Sequence, residues 1–321
     1  MIPQKLSIVV PVYNSEETLS LLCDRVEAAM QSLGREYELI LVDDASRDDS
    51  WAQIKKITSG KKKIRGIRLC RNFGQHNALL CGIRAARYEI IATIDDDLQN
   101  PPEEIEKLIH KLGEGYDVVY GVPEMEQHGF FRDIASMITK LAIQVNMDEK
   151  AVRQVSAFRV FRTKLRDSFS DFNSPTLSID VLLFWGTSKF GSMKVRHDPR
   201  RHGQSNYTFP KLVAHATKMI TGFSVLPLRI TSWFGFAFTF FGLMSLVFVV
   251  FRFMIQGTQV SGFTFLASIV SIFSGATMFA LGIIGEYLAQ VHLRVMGKPV
   301  FAESDRTFGE NEDIAAQDDG V

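Results

Sequence analysis

The sequence predicts an α/β domain with a mainly parallel sheet, followed by two membrane-spanning helices. Three observations carry that reading. Short, continuously apolar runs alternate with helical stretches over the first two thirds of the chain. Several of those runs end in polar, acid-rich clusters. Beyond residue 229 come two long stretches without a charge.

Leu6–Val12 is apolar throughout save for Ser7, the mark of a strand buried on both faces. A helical pattern follows from Glu16 to Leu33. The next strands are expected at Tyr37–Val42, Ile64–Leu69, Glu89–Ile94 and Tyr116–Val122. Helical stretches separate them, including Gln75–Ala86 and Pro102–Leu112, where Pro102 suits a first turn. Strands alternating with helices make βαβ units and a parallel sheet. Ligands in such sheets bind beyond the carboxyl ends of the strands. Asn14, Asp43–Asp44, Asn72 and Asp95–Asp97 stand at those ends.

Ile230–Phe251 carries no charge, which is enough chain to cross a bilayer core, and Gly262–Gly285 is a second such run. A core helix rarely stays apolar all round for that length. Arg196, Arg200, Arg201, Lys211, Lys218 and Arg229 precede the first run, and Arg294, Lys298 and Arg306 follow the second. Only Arg252 borders the link between them. The excess of positive charge therefore places the N-terminal domain and the tail in the cytoplasm. Between Thr208 and Leu226, apolar residues fall on one helical face opposite Lys211, His215 and Lys218, the pattern of a helix lying on a membrane surface. The expected organisation is a catalytic domain over 1–207, an interfacial helix over 208–226, two spans over 227–288 and a cytoplasmic tail over 289–321. After Ala302 that tail is rich in acids and is expected to be disordered.

Charge excludes some classes. The 36 basic and 36 acidic residues balance, which argues against a nucleic-acid binder. Cys23, Cys70 and Cys81 form no CxxC pair, so no zinc site or disulfide framework is signalled. No GxGxxG or GxxxxGK[ST] motif is present.

The strongest chemical feature is Asp95-Asp96-Asp97-Leu98-Gln99 at the end of an apolar strand. Three carboxylates so close repel one another unless a cation sits among them. Oxygen ligands of this kind suit Mg²⁺ or Mn²⁺. Asp95 and Asp97 alternate with Asp96, so the outer pair shares one side. On the residues alone, Asp43 and Asp44 suit a turn as well as a ribose or base contact.

Four stretches together resemble a known family: Ser7-Ile-Val-Val-Pro-Val-Tyr-Asn14, Val42-Asp-Asp-Ala-Ser46, Arg71-Asn-Phe-Gly-Gln-His-Asn77 and Asp95-Asp-Asp-Leu-Gln-Asn-Pro-Pro-Glu103. They are similar to family-2 glycosyltransferases of the GT-A fold, and within them to the polyprenyl-phosphate glycosyltransferases. The similarity continues through Arg200-Arg-His-Gly-Gln-Ser-Asn-Tyr207, Pro227-Leu-Arg229 and Leu281-Gly-Ile-Ile-Gly-Glu-Tyr287. The resemblance implies that Pro11, Tyr13, Asn14, Asp43 and Asp44 line a nucleotide-sugar pocket together with Asp95 and Asp96. It implies that Asp95, Asp97 and Gln99 surround the metal. Arg132, Arg159, Arg200, Ser205 and Tyr207 would face the donor diphosphate or the lipid phosphate. The implied reaction is inverting transfer from a UDP-sugar to undecaprenyl phosphate, for cell-envelope glycan or lipid modification. The implied setting is a multi-pass protein of the bacterial plasma membrane, in contact with the bilayer and assembled as a homo-oligomer, a tetramer by resemblance.

The chain also departs from the pattern. Ser15 stands where relatives commonly have Glu, Pro123 and Glu126 replace arginines, and Arg153-Gln-Val-Ser-Ala157 replaces a stretch with an acid and a glycine. A phosphate acceptor is already ionised at neutral pH, so no strong general base is needed; Asp180 is the remote candidate. A processive polysaccharide synthase is the rival reading, but it would carry a QxxRW motif and more spans. A non-catalytic membrane scaffold is the other, and the intact Asp95–Gln99 run argues against it.

Overall fold

The computed structural model describes residues 5–123, 155–174, 177–198, 225–256 and 263–308. They form two compact units, one of residues up to 198 together with 297–308, the other of 225–296.

The first unit is built on β1 (Lys5–Val12), β2 (Glu36–Asp43), β3 (Ile64–Leu69) and β4 (Ile90–Thr93). Between them run α1 (Leu19–Ser32), α2 (Ser50–Thr58) and α3 (Gln75–Ala85). A short 3₁₀ turn at Pro102–Glu104 leads into α4 (Ile105–Gly113). Then follow β5 (Val118–Pro123), β6 (Arg159–Arg162), α5 (Ile179–Gly186) and β7 (Phe190–Val195). The last strand is β8 (Glu303–Arg306).

Eight strands join in the order β7-β5-β6-β4-β1-β2-β3-β8. The β1–β2, β1–β4, β2–β3 and β5–β7 pairs are parallel; β6 and β8 run antiparallel to their neighbours. The expected mainly parallel sheet flanked by helices is therefore observed. Its central strands alternate side chains into two buried layers. Leu6, Ile8, Val10 and Val12 face α1 and α4, while Val9, Ile40 and Val42 face α3. That is why these strands read as continuous apolar runs. At Gly82 an added Cβ would overlap Val9 Cγ1, so α3 packs directly on β1. A buried Glu38–Arg65 ion pair, at 2.8 Å and backed by the Ser7 hydroxyl, lies among β1, β2 and β3.

The sheet differs from the sequence reading at its edges. β6 and β7 are short and only partly apolar, so neither stands out from its surroundings. β8 lies in the acidic tail that was expected to be disordered. It pairs with β3, with Ile67 opposite Arg306 and Arg68 opposite Asp305. An edge strand is held by backbone bonds on one side and needs no apolar pattern. Residues 309–321, the rest of that tail, lie outside the described residues.

The second unit is a helical pair, α6 (Leu226–Gln256) and α7 (Phe263–Val295). At about 1.5 Å per residue each exceeds the roughly 30 Å bilayer core. Phe238 and Phe273 meet edge to face at 5.7 Å. Both helices contain stretches apolar and long enough to cross a membrane, Leu226–Arg252 and Ile272–Val295, and neither is buried by the rest of the described structure. A core helix of a soluble domain would be covered. The interfacial helix expected over 208–226 falls almost wholly outside the described residues.

Candidate active site

The chain runs β1, β2, β3 in one direction across the sheet, then returns to place β4 on the other side of β1. This reversal opens a crevice at the carboxyl ends of β1 and β4. Pro11, Val12 and Tyr13 line it from β1, Asp44 from the end of β2, and Asn72, Gly74 and Gln75 from the turn into α3. Asp95, Asp96 and Asp97 close it from the end of β4.

Three non-glycine residues with positive φ, Asn14 (54°), Ala45 (55°) and Leu98 (61°), follow the ends of β1, β2 and β4. Such conformations cost about 1 kcal/mol or more each and persist only when their surroundings hold them. Here the holding bonds are visible. The Asn14 N–H donates to Ser46 Oγ at 3.0 Å, and Asn14 Oδ1 accepts from the Arg47 N–H at 2.8 Å. Asp43 Oδ1 accepts from the Ser46 N–H at 3.0 Å. The loops after β1 and β2 are thus tied to each other.

The three aspartates are not equivalent. Asp96 accepts from the Tyr13 N–H at 3.1 Å and from the Ser15 hydroxyl. Burial raises its pKa, the Ser15 and Tyr13 bonds pull it back, and the Asp97 charge pushes it up again. Asp95 accepts from Gln75 Nε2 at 2.7 Å, and Asp97 Oδ1 from the Gln99 N–H at 3.1 Å. Asp95 and Asp97 each keep these bonds and border the crevice. Among the described residues no three His, Cys, Asp or Glu side chains converge as a closed metal cage. That does not conflict with Mg²⁺ or Mn²⁺. Magnesium is commonly held by one or two carboxylates together with substrate phosphates and water. Two half-buried carboxylates at the mouth of a ligand crevice are a donor set of that kind.

Other expected residues fall differently. Asp44 lines the crevice, but its two oxygens accept from the Phe73 and Gly74 N–H groups at 2.7 and 2.8 Å. It clamps the turn into α3, and burial raises its pKa against those two bonds. Asp43 is fully buried, and neither it nor Asn14 is among the residues lining the crevice. Gln99 is not a lining residue either; its carbonyl accepts from the Asp198 N–H at 2.8 Å.

Arg159 was expected to face a phosphate. It is only 1% exposed, sits on β6, and its guanidinium bonds Asp180 and the Thr93 hydroxyl. Burial is the largest influence and works against its charge, but Asp180, Tyr120 and Asp95 together raise its pKa. The Tyr120 hydroxyl donates to the same carboxylate at 3.1 Å. This buried cluster joins β4, β5 and β6 to α5, because β6 inserts between β4 and β5. Asp180 is consequently engaged as a counter-ion. Arg132, Arg200, Ser205 and Tyr207 lie outside the described residues, as do Glu126 and residues 153–154.

Gln75 and Ser15 are the site residues the sequence did not assign. The Arg71–Asn77 stretch stood out as a motif, but nothing in it showed that Gln75 would reach Asp95. Ser15 read only as a departure; the structure gives it a partner in Asp96.

Residues 7–169 match the model of Glycosyl transferase family 2. An undecaprenyl-phosphate 4-deoxy-4-formamido-L-arabinose transferase from Enterobacter sp. (strain 638) is 34% identical over 299 residues, covering 92% of this chain and 91% of that one. The enzyme of the same name from Shewanella sediminis (strain HAW-EB3) is 34% identical over 309 residues, covering 95% and 93%. Among solved structures, glucosyl-3-phosphoglycerate synthase from Mycobacterium tuberculosis, crystallised with Mn²⁺, UDP and phosphoglyceric acid, shares 22% identity at a TM-score of 0.49. The alignment covers 68% of this chain and 76% of that one. The S. aureus TarS 1-349 structure with UDP-GlcNAc shares 19% identity at a TM-score of 0.48, covering 68% and 65%. The chain belongs to glycosyltransferase family 2, and it is a glycosyltransferase enzyme.

Proposed function

We propose that this enzyme transfers a sugar from a UDP-sugar to undecaprenyl phosphate at the cytoplasmic face of a bacterial plasma membrane, with inversion at the anomeric carbon. One observation carries the reading. The crevice at the β1/β4 switch point gathers the Pro11–Tyr13 wall, Asp44 and the Asp95–Asp97 turn, in a chain matched almost end to end by undecaprenyl-phosphate sugar transferases.

In this reading Pro11 and Tyr13 form the wall against which the nucleotide lies. Asp44 shapes the pocket by fixing the turn into α3. Asp95 and Asp97 would hold Mg²⁺ or Mn²⁺, and the bound ion would offset the charge of the departing nucleoside diphosphate. The acceptor phosphate is largely dianionic at neutral pH and attacks as it stands, so the protein's work is positioning and charge neutralisation. Arg200, with Ser205 and Tyr207, is assigned to a phosphate, the acceptor's before the donor's. Arg132 is a further candidate for either phosphate. The described chain stops two residues before Arg200, at Asp198, whose N–H is bonded to Gln99 beside the aspartate turn. An arginine fork suits a phosphate through paired, charge-assisted bonds. The span helices keep the catalytic domain next to its lipid substrate, with both termini cytoplasmic.

The test is metal dependence. Asp97→Asn keeps the side chain's shape and removes a charged ligand. Transfer should fall by about 100-fold or more, because several kcal/mol of charge stabilisation are lost. Chelation of wild type should match it, and Mg²⁺ or Mn²⁺ should restore activity. Full activity of Asp97→Asn, or of wild type in excess chelator, contradicts the mechanism.

A further inference from the structure

A row of charged side chains crosses the sheet outward from the end of β2. Asp43 on β2 stands opposite Arg68 on β3, and Arg68 stands opposite Asp305 on β8. Asp43 is wholly buried. Its Oδ1 accepts from the Ser46 N–H, and the Ser46 hydroxyl accepts from the Asn14 N–H. Its Oδ2 has no hydrogen bond among the described residues; its compensation is Arg68, whose Nε stands 3.2 Å away. The Arg68 guanidinium lies over the ring of the buried Trp51, 5.9 Å from its centre. The Trp51 indole N–H donates to Asp305 Oδ2 at 3.3 Å.

We propose that Arg68 is a positioning residue for the donor nucleotide, and that the C-terminal strand Glu303–Arg306 is part of the donor site, holding Arg68 against Asp43 through Asp305 and Trp51. The proposal rests on the reading of the crevice as a nucleotide pocket. A buried carboxylate without a counter-charge either takes up a proton or moves toward water. Either change would loosen the Ser46–Asn14 tie, and with it the left-handed Asn14 beside Tyr13. Arg68 thus acts on the pocket through Asp43.

Strand β8 follows the second apolar helix in the chain. Its four residues, Glu-Ser-Asp-Arg, contain nothing apolar that would favour burial. Polar contacts and flanking apolar residues hold it. The Cys70 N–H bonds the Ala302 carbonyl at 2.8 Å and the Gly66 N–H bonds the Thr307 hydroxyl at 2.8 Å, while Val300, Phe301 and Phe308 on either side pack into the core. A tail that reads as a solvated appendage therefore supports the donor half of the site.

The experiment uses full-length protein in detergent with Mg²⁺, titrated calorimetrically with UDP, GDP and dTDP. The nucleotide that wild type binds most tightly is the probe. Arg68→Gln should weaken that nucleotide about tenfold or more, in line with the loss of the half-exposed cation that compensates a buried carboxylate. Arg68→Lys should stay within about threefold of wild type, since charge is kept. Asp305→Ala and Trp51→Phe, which leave Arg68 in place, should weaken binding about three- to tenfold. They carry the test if Arg68→Gln does not fold. Arg35→Gln, which breaks the Arg35–Glu106 pair away from the crevice, is the control for lost stability. It should lower the melting temperature without moving the affinity. Unchanged affinity in the Asp305 and Trp51 variants overturns the proposal and leaves the pocket reading standing. Equal weakening in Arg35→Gln also overturns it. If wild type binds none of the three nucleotides, the pocket reading falls and the proposal falls with it.

Discussion

At the scale of residues, the Asp95–Asp97 turn shows how one strand end divides like charges among different partners. All three border the crevice, but Asp96 bonds Tyr13 and Ser15 of the β1 loop, Asp95 bonds Gln75, and Asp97 bonds the Gln99 N–H. The three residues lie in the turn beyond β4, so the alternation read from the sequence does not account for that division. The Arg159–Asp180 pair was not readable. An arginine next to Phe158 looks the same in sequence whether it reaches a phosphate or a buried carboxylate. Removing one partner of such a buried pair costs about 3–5 kcal/mol, because the other charge is stranded. Asp180→Ala should therefore lose stability on that scale in thermal or denaturant unfolding. The double variant Arg159→Met, Asp180→Leu should recover most of it. An Asp180→Ala protein of wild-type stability and no transfer activity would instead mark Asp180 as a general base. The cysteines give a second test. Burial, with help from Asp24, pushes the Cys23 thiol up to about 12, and burial raises Cys81 as well. Both stay protonated at pH 8, where the thiolate is the reactive form. Iodoacetamide on the native protein should label exposed Cys70 alone, read by peptide mass; modification of Cys23 or Cys81 at a similar rate would contradict the buried placement.

At the scale of elements, the sequence located strands β1 to β5 within a few residues, because each lies in the sheet interior and carries a run of buried aliphatics. It did not locate β6, β7 or β8. β6 carries arginines at both ends, one of them neutralised inside the fold, β7 is only partly covered, and β8 is wholly polar. The helical pair was legible from composition alone, since about 20 apolar residues in a row have few other uses. Arg229 and Arg252 stand about 34 Å apart along α6 at 1.5 Å per residue, close to the thickness of a bilayer core. The topology we propose, from the basic residues before α6 and after the apolar part of α7, has the link between the helices on the far side of the membrane. A Gly257→Cys variant, with the three native cysteines replaced by serine, should react with a membrane-impermeant maleimide added from outside. Labelling from the cytoplasmic side alone would reverse the topology.

At the scale of the whole molecule, a catalytic unit and a membrane unit share one chain, and the catalytic sheet is completed by residues on either side of the helices. A soluble acceptor would need no such anchor. With the polyprenyl phosphate we propose as acceptor, whose phosphate lies in the headgroup layer, the anchor would be part of substrate capture. Of the residues expected at the nucleotide-sugar pocket, Pro11, Tyr13, Asp44, Asp95 and Asp96 line the crevice at the strand ends, and Asn14 and Asp43 do not. Of the residues expected to face a phosphate, Arg159 is buried against Asp180, and Arg132, Arg200, Ser205 and Tyr207 lie outside the described residues. The central claim is that the acceptor is a lipid phosphate and that its oxygen forms the new bond. Purified protein should be incubated with undecaprenyl phosphate, Mg²⁺ and a panel of UDP-sugars, and the lipid fraction read by mass spectrometry. The account predicts a product heavier than undecaprenyl phosphate by one sugar residue, with release of an equal amount of UDP and no product from undecaprenol. UDP release with the lipid unmodified, or a ladder of many added sugars, would contradict it.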